Sequence, residues 1–329
     1  MVKINIISGF LGAGKTTLIK KLLGSEAMKG EKIILLENEY GDVGVDGSFL
    51  KDSGVIVDEL NSGCICCTLV GDFQKAVDEL IEKYNPDRLI IEPSGVGKLS
   101  EIVNAVEKCK AAHPEMEISG CATIVDAGKC RMHMKNFGEF FLDQVKTADT
   151  VIFSRTQNIT ADRVEKSRVL IAEAHEGVRV ITTPWDDLSA DVMLEVVESG
   201  RPIVLHVEHE HHHHDHDEHC TCGCHDHDHE GHHHHHHADE VFISIGWETA
   251  KRYEQADVEK MLNALSDEES YGHILRAKGI LQNAAGEWFQ FDYVPGESEF
   301  RAGSPDYTGR ICIIGAHIDE HELKELWQA

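Results

Sequence analysis

Gly9-Phe10-Leu11-Gly12-Ala13-Gly14-Lys15-Thr16 is the stretch that decides the fold of this 329-residue chain. It fits the pattern G-x-x-x-x-G-K-[ST], in which glycines let the backbone curl into a nest of N–H groups aimed at phosphate oxygens. In that pattern Lys15 reaches the β- and γ-phosphates of a nucleotide and the Thr16 hydroxyl ligates Mg2+, while Gly12, Ala13, Gly14 and Thr17 complete the cradle. A chance glycine-rich turn needs neither a strand before it nor a helix after it. Here the apolar run 4–8 supplies the strand and the pattern 16–23 the helix.

Outward from this loop, short apolar runs alternate with helical patterns through the first 200 residues. The runs 33–37, 55–60, 88–92, 122–126, 150–154 and 178–182 read as strands. Between them, 69–84 carries Phe73, Val77, Leu80 and Ile81 at helical spacing. Strands that are apolar throughout and alternate with helices indicate a mostly parallel sheet flanked by helices, an α/β phosphate-loop NTPase fold. Ligands collect at the carboxyl edge of such a sheet. The strand 88–92 ends there in Glu92-Pro93-Ser94-Gly95, which makes Glu92 the acid that supports magnesium and the attacking water. Gly95 is placed to sense the γ-phosphate through its N–H. An ordinary strand-end acid is the competing reading.

Cys64-Ile65-Cys66-Cys67 follows the strand 55–60 and places three thiols within four residues. Thiolates are soft ligands for zinc and copper(I), and three ligands leave a coordination position open, which suits transfer. Buried small apolar residues and a redox pair (Cys64 to Cys67) are the alternatives, and clustering argues against the first. Glu37, Glu39 and Asp42 supply oxygen ligands or belong to a switch loop; the residues alone do not divide these roles.

The chain has 31 Lys+Arg against 58 Asp+Glu, a formal net charge of -27, and 23 histidines. Seventeen of these histidines lie between His206 and His237, with eight acids, three cysteines and no Lys or Arg. A segment of that composition buries no apolar surface and reads as a disordered linker. Imidazole is a common ligand for zinc, nickel, cobalt and copper, and Cys220, Cys222 and Cys224 add thiolates. His211, His212, His213, His214, His216 and the run His232, His233, His234, His235, His236 and His237 therefore form an expected metal reservoir, with the Cys64–Cys67 triplet as the specific site. A solvated linker without function is the plain alternative. The remaining histidines, His113, His133, His175, His273, His317 and His321, are assigned no role.

Beyond the tract, 241–245 reads as a strand, 255–265 as a helix, and 274–281, 288–293 and 310–314 as strands before a last helix from Asp319. The expected organisation is a phosphate-loop domain over 1–200, a metal-binding linker over 201–239 and a small α+β domain over 240–329. The acidic balance, which persists outside the tract as 50 acids against 31 bases, excludes nucleic-acid and anionic-membrane partners. Residues 1–9 lack the pattern of a secretory signal, and no run approaches the ~18 apolar residues that span a bilayer. A cytoplasmic location with reduced thiols is expected.

The stretches Gly12-Ala13-Gly14-Lys15-Thr16-Thr17, Glu37-Asn38-Glu39-Tyr40-Gly41, Gly63-Cys64-Ile65-Cys66-Cys67 and Glu92-Pro93-Ser94-Gly95 occur in an order that resembles the CobW family of metallochaperone GTPases. Arg276-Ala277-Lys278-Gly279, Val294-Pro295-Gly296 and Ile313-Ile314-Gly315 are similar to that family's C-terminal domain. The resemblance covers nearly the whole chain. It implies hydrolysis of GTP to GDP and phosphate, coupled to delivery of zinc or cobalt to a client metalloprotein. It also implies Lys15 and Thr16 as phosphate and magnesium ligands, Cys64, Cys66 and Cys67 as metal ligands, and room for a nucleotide- or metal-dependent dimer.

One departure concerns the base. The family reads guanine with Asn-Lys-x-Asp, whose carboxylate accepts two N–H bonds; here Ser154-Arg155-Thr156-Gln157 stands in that place. Arg155 lies along the base as the Lys stem would. The Gln157 amide offers no bidentate anionic acceptor, so ATP remains open beside GTP. Competing functions are metal storage with a regulatory nucleotide domain, cobalt insertion in cobalamin synthesis, and a small-molecule kinase, which leaves the thiols and histidines without a use.

Overall fold

β1 (Val2–Gly9), β2 (Ile33–Glu37), β3 (Ile56–Glu59), β4 (Arg88–Glu92), β5 (Met116–Asp126), β6 (Thr150–Ser154) and β7 (Arg179–Ile181) form one sheet in the order β3-β2-β4-β1-β5-β6-β7. Every pairing in it is parallel. The computed structural model describes residues 1–37, 55–59, 70–199, 241–303 and 308–328. The Cys64–Cys67 triplet, Glu39, Asp42 and the histidine tract therefore lie outside the described residues.

Helices cover both faces, as strands that are apolar on both sides require. On one face α2 (Val70–Tyr84) and α3 (Leu99–Ala112) bury Phe73, Val77, Leu80, Ile102 and Val106 against Ile4, Ile6, Leu36 and Leu89. On the other, α1 (Lys15–Leu23) and α7 (Ala190–Glu198) pack Leu18, Leu22, Met193 and Val197 against Ile7, Leu35, Ile90 and Ile124. α4 (Cys130–Asn136), α5 (Gly138–Thr147) and α6 (Ala161–Ala174) wrap the β5–β6 end. The expected strands and the 69–84 helix form within a few residues of their predicted bounds; β5 begins six residues earlier, because Met116 continues the pairing to Val2.

The C-terminal part is a five-stranded antiparallel sheet in the order β11-β10-β9-β12-β8. Its strands are β8 (Ile243–Thr249), β9 (His273–Gln282), β10 (Trp288–Val294), β11 (Glu297–Ala302) and β12 (Gly309–Ala316). α8 (Gln255–Ala264), the short α9 (Glu268–Tyr271) and α10 (Glu320–Trp327) complete it. One face meets the helices: Ala277, Leu281, Phe291, Ile311 and Ile313 pack on Val258, Leu262, Leu323 and Trp327, with Trp327 stacked on Phe291 at 5.6 Å. The other face turns Leu275, Cys312, Ile314 and Ala316 toward the first sheet's flank, in one core with Phe10, Phe137, Phe140 and Phe141.

Two sequence expectations are corrected here. The strand expected at 241–245 starts at Ile243 and runs to Thr249, because Phe242 is taken into the shared aromatic core against Phe137 (5.5 Å) and Phe140 (5.1 Å). β11 was not expected at all; its text Glu-Ser-Glu-Phe-Arg-Ala is poor in strand formers and stands as an edge strand paired to β10.

Candidate nucleotide-binding site

β1 delivers the chain to the middle of the sheet's carboxyl edge, where Gly9 turns it into the loop and Gly14, in a left-handed conformation, starts α1. The loop needs glycine at Gly12 for two reasons. Its φ is +67°, and a Cβ there would lie 2.3 Å from Cγ1 of Val294 in the C-terminal sheet. Lys15, the first residue of α1, is buried and its Nζ donates to the Gly9 carbonyl at 3.0 Å, arching back over the loop. The positive end of the α1 dipole faces the same space.

β4 brings the acid. Thr16 Oγ1 donates to both carboxylate oxygens of Glu92, at 3.1 and 3.2 Å, across 76 residues of sequence. Glu92 stands in register with Glu37 on β2, and Glu37 with Glu59 on β3, so three acidic positions share one level of the edge. Glu37 is buried. Gly95 packs its backbone on the loop: a Cβ there would meet Leu11 N at 2.7 Å. Gln144 donates to the Gly95 carbonyl at 3.1 Å, which holds the 93–97 turn in place.

β6 ends at the same edge of the sheet. Arg155 follows it with φ +56°. Its Nη1 donates to the Gly12 carbonyl at 2.8 Å and reaches Asp126 at 3.3 Å, while Nη2 pairs with Glu297 at 2.9 Å. The side chain therefore ties the loop to the end of β5 and to β11. Ser154 and Thr156 hydroxyls are buried and find no protein partner. Trp185, whose indole N–H donates to the Phe153 carbonyl at 2.8 Å, closes this end; its ring is 3.3 Å from where a Gly14 Cβ would be. Burial, with a smaller contribution from Arg155, lowers the pKa of the nearby Lys129, and Asp126 and Glu297 act against that shift.

A cavity of about 410 Å³ opens above the loop. Gly12, Gly14, Lys15, Thr16, Thr17, Glu92 and Arg155, all expected from the sequence, line it. Ala13 and Gly95 lie behind the loop rather than on the cavity wall, and Gln157 sits exposed on the short turn Thr156–Asn158. The opposite wall was not expected: it comes from Arg276, Asp292, Val294 and the β11 residues Glu297, Glu299 and Arg301. Asp126 was also missed, although it is a strand-end acid at the same edge as Glu92 and was open to the same argument. Among the described residues no group of three or more His, Cys, Asp or Glu is arranged to hold a metal ion, and no helix is long and apolar enough to cross a membrane.

Comparison with known proteins agrees with this geometry. Residues 3–182 match the family described as CobW/HypB/UreG, nucleotide-binding domain, and residues 242–329 match the cobalamin synthesis protein cobW C-terminal domain. The zinc chaperone YeiR of Escherichia coli (strain K12) is 34% identical over 162 residues, covering 49% of this chain and 49% of its own. The zinc chaperone CobW of Sinorhizobium sp is 33% identical over 195 residues, covering 51% of this chain and 54% of its own. The chain thus spans about half the length of these curated relatives. The solved Zn(II)-bound YjiA GTPase from E. coli aligns over 99% of this chain and 98% of its own at 21% identity and a TM-score of 0.42. The first match alone takes in more than half of the chain and contains the whole edge from Gly9 to Arg155, so the protein belongs to the CobW/HypB/UreG family.

Proposed function

We propose that the chain hydrolyses GTP to GDP and phosphate and uses that cycle to deliver a divalent metal, zinc or cobalt, to a client metalloprotein. The observation that carries this reading is the meeting of Thr16 and Glu92 beside Lys15, which puts a phosphate cradle and an acid at one point of the sheet edge. The names of the relatives, zinc chaperones, support the cargo. Hard oxygen donors suit Mg2+, and the Thr16 hydroxyl and Glu92 carboxylate are the pair that would hold it. Bound there, it would neutralise charge on the phosphates.

Lys15 then binds and polarises the transferred phosphoryl group, backbone N–H groups of Gly12 to Thr17 hold the phosphates, and Glu92 orients water. Gly95 fixes the turn that faces the γ-phosphate. Arg155 supports the base, with Gln157 at its margin. On the metal side Cys64, Cys66 and Cys67 form the specific site, with Glu37 and Asp42 as oxygen donors. The Cys triplet follows β3, the strand registered to Glu37 and through it to Glu92. A change at the γ-phosphate therefore has a short route along one sheet edge to β3, the strand that precedes the thiols in the sequence. The tract over 201–239 serves as a reservoir between the two folded parts, and the cytoplasm, which keeps thiols reduced, is the matching compartment.

The test is a competitive titration of the full chain with zinc and with cobalt, in Mg2+ with a non-hydrolysable GTP analogue and again with GDP. Coupled delivery requires metal affinity to differ between the two states. Equal affinity refutes it and leaves storage. In a second arm, Cys66→Ser/Cys67→Ser should lose the tight site while keeping the bulk capacity of the tract; loss of neither refutes the assignment of the thiols.

A further inference from the structure

The cavity above the phosphate loop has two walls that come from different sheets. Side chains at alternate positions of β9, β10 and β11 point into it: Arg276, Asp292, Val294, Glu297 and Arg301. Nothing about the phosphate loop explains why a second sheet should present arginines there. We propose that Arg276 and Arg301 are phosphate-binding residues for the nucleotide, supplied from the C-terminal sheet, so that the nucleotide is clamped between the two parts of the chain. This rests on the reading that the site takes a nucleoside triphosphate.

The clamp is built rather than accidental. The wall is fixed to the loop at several points. Val294 sits against Gly12, Lys129 Nζ donates to the Pro295 carbonyl at 2.9 Å, and Phe10 of the loop packs at 6.3 Å from Phe242. Strands held this way present side chains with little freedom. Arg276 is aimed: its Nε and Nη2 donate to the two carboxylate oxygens of Asp292 at 3.3 and 2.6 Å, which sets the plane of the guanidinium fork. A guanidinium binds carboxylate and phosphate oxygens by the same chemistry, so an incoming phosphate shares or displaces the Asp292 contact. Arg301 stands across from Gln290, the partner it faces in register, and its Nε donates to the Gln290 side-chain oxygen at 3.3 Å.

The acids on the same wall do not contradict this. Asp292 is engaged with Arg276 and Glu297 with Arg155, while Glu299, its side chain 71% exposed, lies 3.9 Å from Arg301 Nη1. On the loop's side Arg155 already serves Asp126 and the Gly12 carbonyl. A magnesium nucleotide remains net anionic, and cations across from Lys15 are what its phosphates would meet. The reading also gives a use to Arg276-Ala277-Lys278-Gly279 and Val294-Pro295-Gly296, two stretches that the loop chemistry leaves idle.

The experiment measures binding of a fluorescent non-hydrolysable GTP analogue with Mg2+, and of GDP, to the full chain and to Arg276→Gln, Arg276→Lys and Arg301→Gln. Losing a charged hydrogen-bond partner should weaken binding by about tenfold to a hundredfold for Gln, with Lys intermediate. Binding should also become less sensitive to salt, because a phosphate-facing charge is gone. In parallel, hydrogen exchange of residues 290–301 in the unsubstituted chain should slow when the analogue is added. Should the Gln variants fail to fold, that exchange measurement decides alone. Unchanged affinity and salt dependence in folded variants, or exchange over 290–301 indifferent to nucleotide, overturns the clamp and leaves the proposed function standing. An unsubstituted chain that binds neither nucleotide brings down both.

Discussion

The two sheets meet the same cavity in different ways. The parallel sheet presents its edge: strands end, backbones turn, and what faces the cavity is a loop of N–H groups with Lys15, Thr16, Thr17, Glu92 and Arg155 set about it. The antiparallel sheet presents a face: β9 to β11 pass alongside, and what meets the cavity is mainly side chains at alternate positions, with Ser298 beside them. Both strategies follow from strand chemistry. Parallel strands buried on two sides have only their ends to offer. An antiparallel sheet with helices on one face has the other to spend on polar groups. Recognition at an edge is written in backbone geometry and tolerates little change, whereas recognition on a face is written in side chains and can be revised one residue at a time.

That contrast can be broken by substitution, beginning with the edge. Lys15→Ala should lower the rate of GTP hydrolysis by about 10²- to 10³-fold, the cost of removing one donor from a developing charge. Phosphate-release kinetics check it, and the melting temperature should hardly move. Gly95→Ala comes next. The new Cβ would lie 2.7 Å from Leu11 N and 2.8 Å from Leu11 Cδ2, so the loop must shift at a cost of about 1–3 kcal/mol. Denaturant unfolding should show the loss, with nucleotide affinity falling alongside; an unaltered midpoint would mean that the turn and loop are not in contact.

The seam between the sheets gives the third prediction. His133 is buried against Phe10 (4.6 Å) and Phe141 (6.1 Å), and burial, with smaller contributions from Lys129 and His273, lowers its pKa to about 4. It folds neutral and is protonated more easily when unfolded. Stability from this group is therefore complete above the ordinary histidine range near 6.5 and is lost as pH falls from there toward about 4. By pH 5 the loss is about 2 kcal/mol. His133→Leu should remove that share of the acid sensitivity, read as the difference between the two proteins' stability curves from pH 7 to 5. The smallest effect is expected at the base. Gln157→Asp supplies a bidentate anionic acceptor and should shift selectivity toward GTP over ATP by about tenfold, measured by competition between the two nucleotides.

Sequence alone was a good guide wherever the signal was local. The loop Gly9–Thr16 lies between two patterns that need each other, and Phe73, Val77, Leu80 and Ile81 recur at helical spacing, so β1, α1 and α2 were all legible. Glu92 was legible because strand ends at a parallel edge are where acids do work. The face was not. Nothing near Arg276 or Arg301 announces that these residues line a cavity with Lys15, because the juxtaposition depends on how two sheets dock. β11 escaped for a related reason: an edge strand can carry Glu297, Glu299 and Arg301 on one side and Ser298, Phe300 and Ala302 on the other, and such a text reads as a polar loop. Phe242 was misassigned to strand because an aromatic residue suits a strand and a shared core equally well.

The aromatic seam has a consequence for how the chain is made. Phe10, Phe137, Phe140 and Phe141 are covered by Leu275, Cys312, Ile314 and Ala316, which are synthesised far later. At about 5–20 residues per second, the interval between Phe141 and Ala316 lasts roughly 10–35 s. During that time these aromatic side chains lack their C-terminal cover, although Val125, Val151 and Phe153 of the region's own strands already pack in the same cluster. A chain released before Ala316 would leave that part of the cluster without its cover.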